Sequence, residues 1–326
     1  MKSYELVSKT IKGDNNGRTP VYGWVAANLS KEISEKFGSV AAFEDHYEFD
    51  AAHIFGGPGS LDSDAIKRIT ESGEELTPDI LLDIPFKSVD NMDEYKNISD
   101  ALKHHRDGRG RFCYVQTPGF FEHFNGAFGI ENHLCYLIMY HDEIKELYAR
   151  QAKWNAKFAE HVLELGADMV HISDDWGSQR DLLFSPKYWY EMIYPNMKYV
   201  VDTVHKAGGY ASLHSDGCIA PVLEGVADIG FNIVHPWQEN ASMPYSLYLD
   251  KYQDKFGILG GLCVQSTIGF ENYERLESEI RRVFNLLKGK RWIFCTTHFV
   301  QNHCSIEEVI FAYDLIIKLA RSILYM

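Results

Sequence analysis

From about residue 145 onward, apolar and polar positions repeat one kind of unit. A helical pattern over 143–165 ends at Gly166, and a short apolar burst, Met169 to Ser173, follows at once. Ser185-Pro186 reads as an N-cap with proline at the first helical position. The helix it opens runs to about Lys206 and stops at Gly208-Gly209, a C-terminal signal. A second burst covers Tyr210 to His214. Beyond it the pattern predicts a short helix at 219–225, a strand at 230–234, a helix at 245–256 and a strand at 257–263. A helix at 271–288, a strand at 292–296 and a closing helix, Ser305–Tyr325, complete the series. The bursts lack period-two alternation because parallel strands are buried on both faces. Strands that alternate with helices in this way form βαβ units.

Before residue 145 the rhythm is less regular, yet strands fit at 20–25, 49–55 and 112–116. That brings the number to eight, the count of a closed (β/α)8 barrel. The charged, turn-rich stretch 59–107 reads as peripheral helices. No linker rich in Pro, Gly or Ser divides the chain. The expected fold is therefore α/β, a single (β/α)8 TIM barrel with extra N-terminal helices, as one domain over 1–326. A doubly wound open sheet is the rival. It would carry a glycine-rich phosphate turn after its first strand, and Val25-Ala26-Ala27-Asn28 offers none.

Composition narrows the function. The 326 residues hold 32 basic and 46 acidic side chains, a net charge of −14. That balance argues against a nucleic-acid footprint and against docking on anionic lipid. The longest apolar stretch, around 134–140, falls far short of the ~18 residues that span a bilayer. The first turns of the chain contain no apolar leader core. Cysteines at 113, 135, 218, 263, 295 and 304 form no CxxC pair and no disulfide framework. The expectation is a cytoplasmic enzyme acting on a small molecule, with no nucleic-acid or membrane partner.

In a barrel, chemistry sits at the C-terminal strand ends. Polar residues collect there in this chain: Asp174, Asp175 and Gln179 after one strand, and His214, Asp216 and Cys218 after the next. His235 and Gln238 follow the third, Cys263 the fourth, and His298, His303 and Cys304 the last. His214 and Asp216 are two apart, so on extended backbone their side chains point the same way. Imidazole and carboxylate on one face make most of a zinc-type site, with His298 as a third ligand. The alternative is a core histidine hydrogen-bonded to Asp216, with His298 an ordinary loop residue. Asp174 and Asp175 are adjacent and so point to opposite sides. One is expected to enter the pocket as a catalytic acid or base, the other to hold a turn or pair with Arg180. Gln116, Gln179, His235 and Gln238 are candidate substrate contacts. Cys295 reads as core, and Cys218 and Cys304 as spare ligands. The aromatics at 120, 121, 124 and 128 either wall a cavity or pack a loop on the rim.

The segments from His171 to Gln179 with Ser185-Pro186, Leu213 to Gly217, and Thr297-His298 ahead of Ser305 resemble the uroporphyrinogen decarboxylase-like superfamily. So does Phe49 to Phe55, and the likeness runs from about Pro20 to Ala320. It implies a (β/α)8 barrel, and either porphyrinogen decarboxylation or methyl transfer with corrinoid proteins. The decarboxylases carry arginines after the first strand and an aspartate after the second. Here those places read Pro20 to Asn28, without arginine, and Gly56-Gly57. A polycarboxylate substrate needs such cations, so porphyrinogen decarboxylation is not expected, although His298 matches the histidine of that branch's C-terminal motif. The methyltransferase branch implies zinc held by a His-x-Cys pair and a later cysteine; here those places hold His214, Asp216 and, nearby, His298. An imidazole–carboxylate set leaves zinc a stronger Lewis acid than thiolates do. The reading is a metal-assisted methyltransferase that moves a methyl group between a small methylated substrate, such as a methoxy compound, and a corrinoid carried by a partner protein. Asp174, Asp175 and His298 would be catalytic, and a homodimer is expected because such relatives often pair. The alternatives are a decarboxylase of a non-porphyrin substrate and a non-catalytic barrel that binds a ligand or partner.

Overall fold

The computed structural model of the protein describes residues 1–14 and 17–322. It is an α/β fold. Seven strands follow in chain order: β1 (Ala51–Ile54), β2 (Phe112–Pro118), β3 (Met169–Ser173), β4 (Tyr210–His214), β5 (Ile233–His235), β6 (Gly257–Leu262) and β7 (Trp292–Thr296). The strands β2, β3 and β4 pair in parallel, as do β5, β6 and β7. Every residue of β3, β6 and β7 is buried, which is why their sequences read as unbroken apolar runs.

At the place of the eighth expected strand, 20–25, the backbone makes a single parallel bridge, Val21 to Phe294. The cause is local. Pro20 has no N–H, so its only contribution is the carbonyl that accepts from Phe294. The Val21 N–H goes to the Asp50 carboxylate at 2.9 Å and the Trp24 N–H to the Thr296 hydroxyl at 3.0 Å. Side chains thus take ladder positions that backbone would fill in a regular strand.

Contacts gather the chain into two compact units. One comprises His53–His104 and Tyr114–Phe231. In it the helix His141–Glu164 buries Ile144, Leu147, Tyr148, Phe158 and Val162 and packs on β3 and on the helix Tyr194–Lys206. Burial of each such large side chain contributes about 1.5–3 kcal/mol. The helix expected from Ser185 to Lys206 is divided. Ser185 does cap it, accepting from the Lys187 N–H, with Pro186 behind. A π turn at Trp189–Ile193 then interrupts it, and the Tyr194 N–H reaches back five residues to the Trp189 carbonyl. Pro195 explains the widening: its ring needs room in the preceding turn and it has no N–H to give.

The other unit comprises Met1–Ala52, His105–Cys113 and Asn232–Met326. It holds three helices near the start, Ser3–Ile11, Ala26–Phe37 and Val40–His46, and two that pack together near the end, Tyr273–Leu287 and Ile306–Arg321. Asn272 and Ser305 cap the latter two through their side-chain oxygens. The expected end of the closing helix, Tyr325, lies outside the described residues. The helix expected at 245–256 shortens to Tyr245–Leu247 and a π turn, Tyr248–Tyr252. Among the described residues, no helix is long and apolar enough to cross a membrane.

Candidate functional site

In the unit that carries β3 and β4, the two strands end side by side, and the Asp174 N–H extends their ladder to the His214 carbonyl at 2.9 Å. Past that point the two aspartates part. Asp174 is completely buried, and its Oδ1 accepts from the Glu122 N–H at 2.7 Å, in the first turn of the helix Phe121–Phe128. It holds a helix N-terminus, where a carboxylate is well placed. Asp175 keeps 35% of its side chain exposed, and its Oδ1 lies 3.7 Å from His214 Nε2. The same oxygen accepts from the Asp216 N–H at 2.7 Å.

Glycine lets the loops beyond β3 and β4 approach this closely. A Cβ on Gly177 would stand 2.6 Å from the Asp216 carbonyl, and one on Gly217, which has φ +79°, would stand 2.6 Å from the Gly177 backbone. The Cys218 N–H donates to the Ser178 carbonyl at 2.7 Å, and the Trp176 N–H to Ser215 Oγ at 3.1 Å. The loops are held backbone to backbone, and Asp175, His214 and Asp216 are fixed with them.

The charges in this unit oppose one another. Burial, then the Asp175 and Glu122 carboxylates, push Asp216 up to about 8. Burial and Asp175 also raise Glu122, against a 2.9 Å hydrogen bond donated by Ser173 Oγ. Burial, with a smaller push from the Glu122 carboxylate, carries Asp174 up to about 7, despite the backbone N–H groups it accepts from. At neutral pH a proton therefore stays on Asp216 unless a cation takes its place. Behind these residues, His171 is buried on β3 with its Nδ1 2.7 Å from Ser212 Oγ. Burial and the rings of His53 and His214 hold it far below the usual histidine range, so it is a neutral core group.

A cavity of about 380 Å³ opens at the ends of β2 and β3 in this unit, walled by Phe55, Gln116, Pro118, Glu122, His123 and Ser173. Among the described residues, no lysine or arginine stands in its walls. His123 Nε2 lies 2.8 Å from Ser60 Oγ, and burial lowers its pKa to about 4, so the ring is neutral. Glu122, His123, Ser173 and Phe55 were not among the residues singled out from sequence. A charged Glu-His pair inside the phenylalanine-rich run 120–128 was the available signal. The phenylalanines themselves are buried: Phe124 stacks on Tyr148 at 5.7 Å and Phe121 on His133 at 4.9 Å. They form the core beneath the helix. Gln116 does line the cavity, whereas Gln179 is exposed on the turn from Ser178 to Asp181.

In the other unit the strand ends carry satisfied, mostly neutral groups. His235 is fully buried at the end of β5, with Nε2 3.2 Å from the Thr296 carbonyl and its ring 4.5 Å from Trp24. His298 follows β7, partly exposed and edge-on to Trp24 at 6.0 Å. Thr297 Oγ1 accepts from the Val264 N–H at 3.2 Å. Gln238, buried, lines a small cavity of about 90 Å³ together with Cys263 and Thr297. Cys218, Cys295 and Cys304 are all buried as free thiols, and burial pushes the Cys295 thiol far up.

A family model described as uroporphyrinogen decarboxylase (URO-D) matches residues 125–318, more than half of the chain. No curated protein matches it. Among solved structures, the chain is similar to a methyltransferase from Methanosarcina mazei, with a TM-score of 0.68 and 13% identity over 98% of this chain and 99% of that one. It is also similar to a B12-independent methionine synthase from Shewanella sp. W3-18-1 in complex with selenomethionine, with a TM-score of 0.52 and 12% identity over 94% and 96% of the two chains. At such identities the likeness is one of fold.

Proposed function

The chain belongs to the uroporphyrinogen decarboxylase (URO-D) family, and from that premise we propose a metal-assisted methyltransferase rather than a porphyrinogen decarboxylase. The methyl donor in this reading is a small methylated compound, such as a methyl ether, and the acceptor is a reduced corrinoid on a partner protein. The fold is taken as the (β/α)8 barrel expected from the sequence, and a homodimer is part of the proposal. One observation carries the reading: His214, Asp175 and Asp216 meet at the ends of β3 and β4, in a unit whose cavity has carboxylate and imidazole but, among the described residues, no lysine or arginine in its walls. Such walls offer the carboxylates of a porphyrinogen no cation to pair with. The Methanosarcina neighbour, a methyltransferase, supports the choice between the family's two chemistries.

The donor set suits zinc. His214 offers an imidazole, and Asp216, two residues on, offers a carboxyl that burial and neighbouring acids leave protonated until a cation displaces the proton. His298 is the proposed third ligand on sequence grounds. Zinc, when bound, supplies Lewis acidity toward an ether oxygen. Asp175 acts by position and by charge: it accepts the Asp216 N–H, fixing the loop that carries the carboxyl, and its carboxylate stands 3.7 Å from His214 Nε2. Gln116 and Glu122 face the substrate from the cavity wall. The oxygen that loses its methyl keeps the electron pair of the broken bond. Glu122, inclined to its protonated form, supplies a proton at its carboxyl to that oxygen. Asp174 is buried and holds the helix through Oδ1, a structural role in this reading.

The decarboxylase of a non-porphyrin substrate is kept as a second reading because Asp216 bears a proton at neutral pH. Such a carboxyl can protonate the carbanion left when carbon dioxide departs. Methyl-transfer assays with methoxylated aromatics and methylamines, run with a corrinoid protein, test the first reading. Transfer that is lost on chelation and restored by zinc is the expected result. Release of carbon dioxide from a small carboxylate by metal-free protein, without transfer, would replace it with the second.

A further inference from the structure

The helix Phe121–Phe128 presents a second surface beside the cavity just described. His123, Gly126 and Ala127 lie three and four residues apart and so share one face. Opposite stand Ile66, Lys67 and Thr70 of the helix Ser63–Glu71, and the two faces flank an open groove of about 520 Å³. His123 lines both spaces, so the polar cavity and the groove meet at its ring. The facing helix is amphipathic, yet it buries none of its residues, and Ile66 remains partly exposed. Gly126 is unusual in this setting. A Cβ built on it meets nothing within 4 Å, and glycine inside a helix is disfavoured against alanine. Backbone geometry does not require it there. Gly126 lines the groove, so a long side chain at this position would stand in it.

We propose that the groove is the far half of the substrate site, and that the substrate is an elongated methyl ether whose apolar body lies along Gly126, Ala127 and Ile66. The size and chemistry of the two spaces fit such a molecule. The cavity alone is at the small end for a ligand pocket, and cavity and groove together span the ordinary range. The polar end meets Gln116 and Glu122, the neutral His123 ring sits midway, and the apolar walls follow. Lys67 and Thr70 are exposed where the groove opens to solvent. The proposal rests on the methyl-transfer reading only in taking a methyl ether as the reacting end. Binding is therefore the readout, independent of turnover.

The test compares the affinities of 1-methoxy-4-propylbenzene and methoxybenzene for the full-length protein by calorimetry. Full burial of each added methylene raises affinity about fourfold, so the longer ether is expected to bind at least tenfold more tightly. Gly126→Leu fills the groove from a position with open space and is expected to bring the ratio of the two affinities to about one. Ile66→Asp, on the opposite wall, is expected to do the same and serves if Gly126→Leu does not fold. Equal affinities in the unmodified protein would overturn the proposal. So would a tenfold ratio that survives in the folded variants. A length preference in a protein that transfers no methyl group would keep the subsite and discard the reaction.

Discussion

The strand ends of the two units carry the same kinds of residue in opposite states. In the unit of β5 to β7, His235, Gln238 and Thr297 are buried, and His235 and Thr297 sit within hydrogen-bonding distance of backbone groups. In the unit of β3 and β4, burial raises the proton affinity of Glu122 and Asp216, and the Asp175 carboxylate adds to both, as Glu122 does to Asp216. Settled polar groups stabilise a fold, whereas like charges gathered in partial burial cost stability and persist where they serve chemistry. The same contrast divides two adjacent residues. Asp174 is buried and binds the backbone of a helix through Oδ1, and Asp175 stands partly exposed beside an imidazole.

The contrast breaks first on activity. Asp175→Asn keeps an oxygen for the Asp216 N–H but removes the charge beside His214, and is expected to lower methyl transfer by about 10–100-fold with an unchanged fold. Asp174→Ala should do the reverse. It leaves the Glu122 N–H unsatisfied and opens a space, at a cost of about 2 kcal/mol in unfolding free energy, while Asp174→Asn, which keeps the acceptor, costs less than about 1. Comparable stability losses for Asp174→Ala and Asp175→Asn in denaturant titrations would erase the distinction.

The next effect is one of pH. Asp216 has its pKa raised from 3.8 to about 8 in the folded protein. The native state therefore binds more protons than the unfolded state between those values, and stability falls as pH rises through that window. Asp216→Asn should flatten the decline by up to about 1.4 kcal/mol per pH unit. Added zinc should flatten it as well, since a bound cation favours the ionised carboxyl. A pH profile identical in the native protein and the variant would contradict the assigned proton. The smallest effect is at Gly126, where alanine meets no neighbour. Gly126→Ala is expected to stabilise by about 0.5–1 kcal/mol, read as a small rise in Tm.

Much of the fold was legible because buried parallel strands announce themselves. Met169–Ser173, Tyr210–His214 and Trp292–Thr296 begin and end where their apolar runs do. Residues 20–25 were less so, since nothing local shows that Asp50 and Thr296 take up their N–H groups. The break at 189–193 was in principle readable from Pro195, whose effect falls on the turn before it. At the site, Asp175, His214 and Asp216 were legible from their position after strands. Glu122 and His123 were hidden in a run of phenylalanines that reads as packing, and Ser60 carries no signal until folding brings it to His123.

Zinc content is the most direct measure of the account. Elemental analysis of purified protein is expected to find about one zinc per chain, falling at least tenfold in His214→Ala and in Asp216→Ala. Full metal retained by both variants, or none bound by the native protein when zinc is supplied, would contradict it.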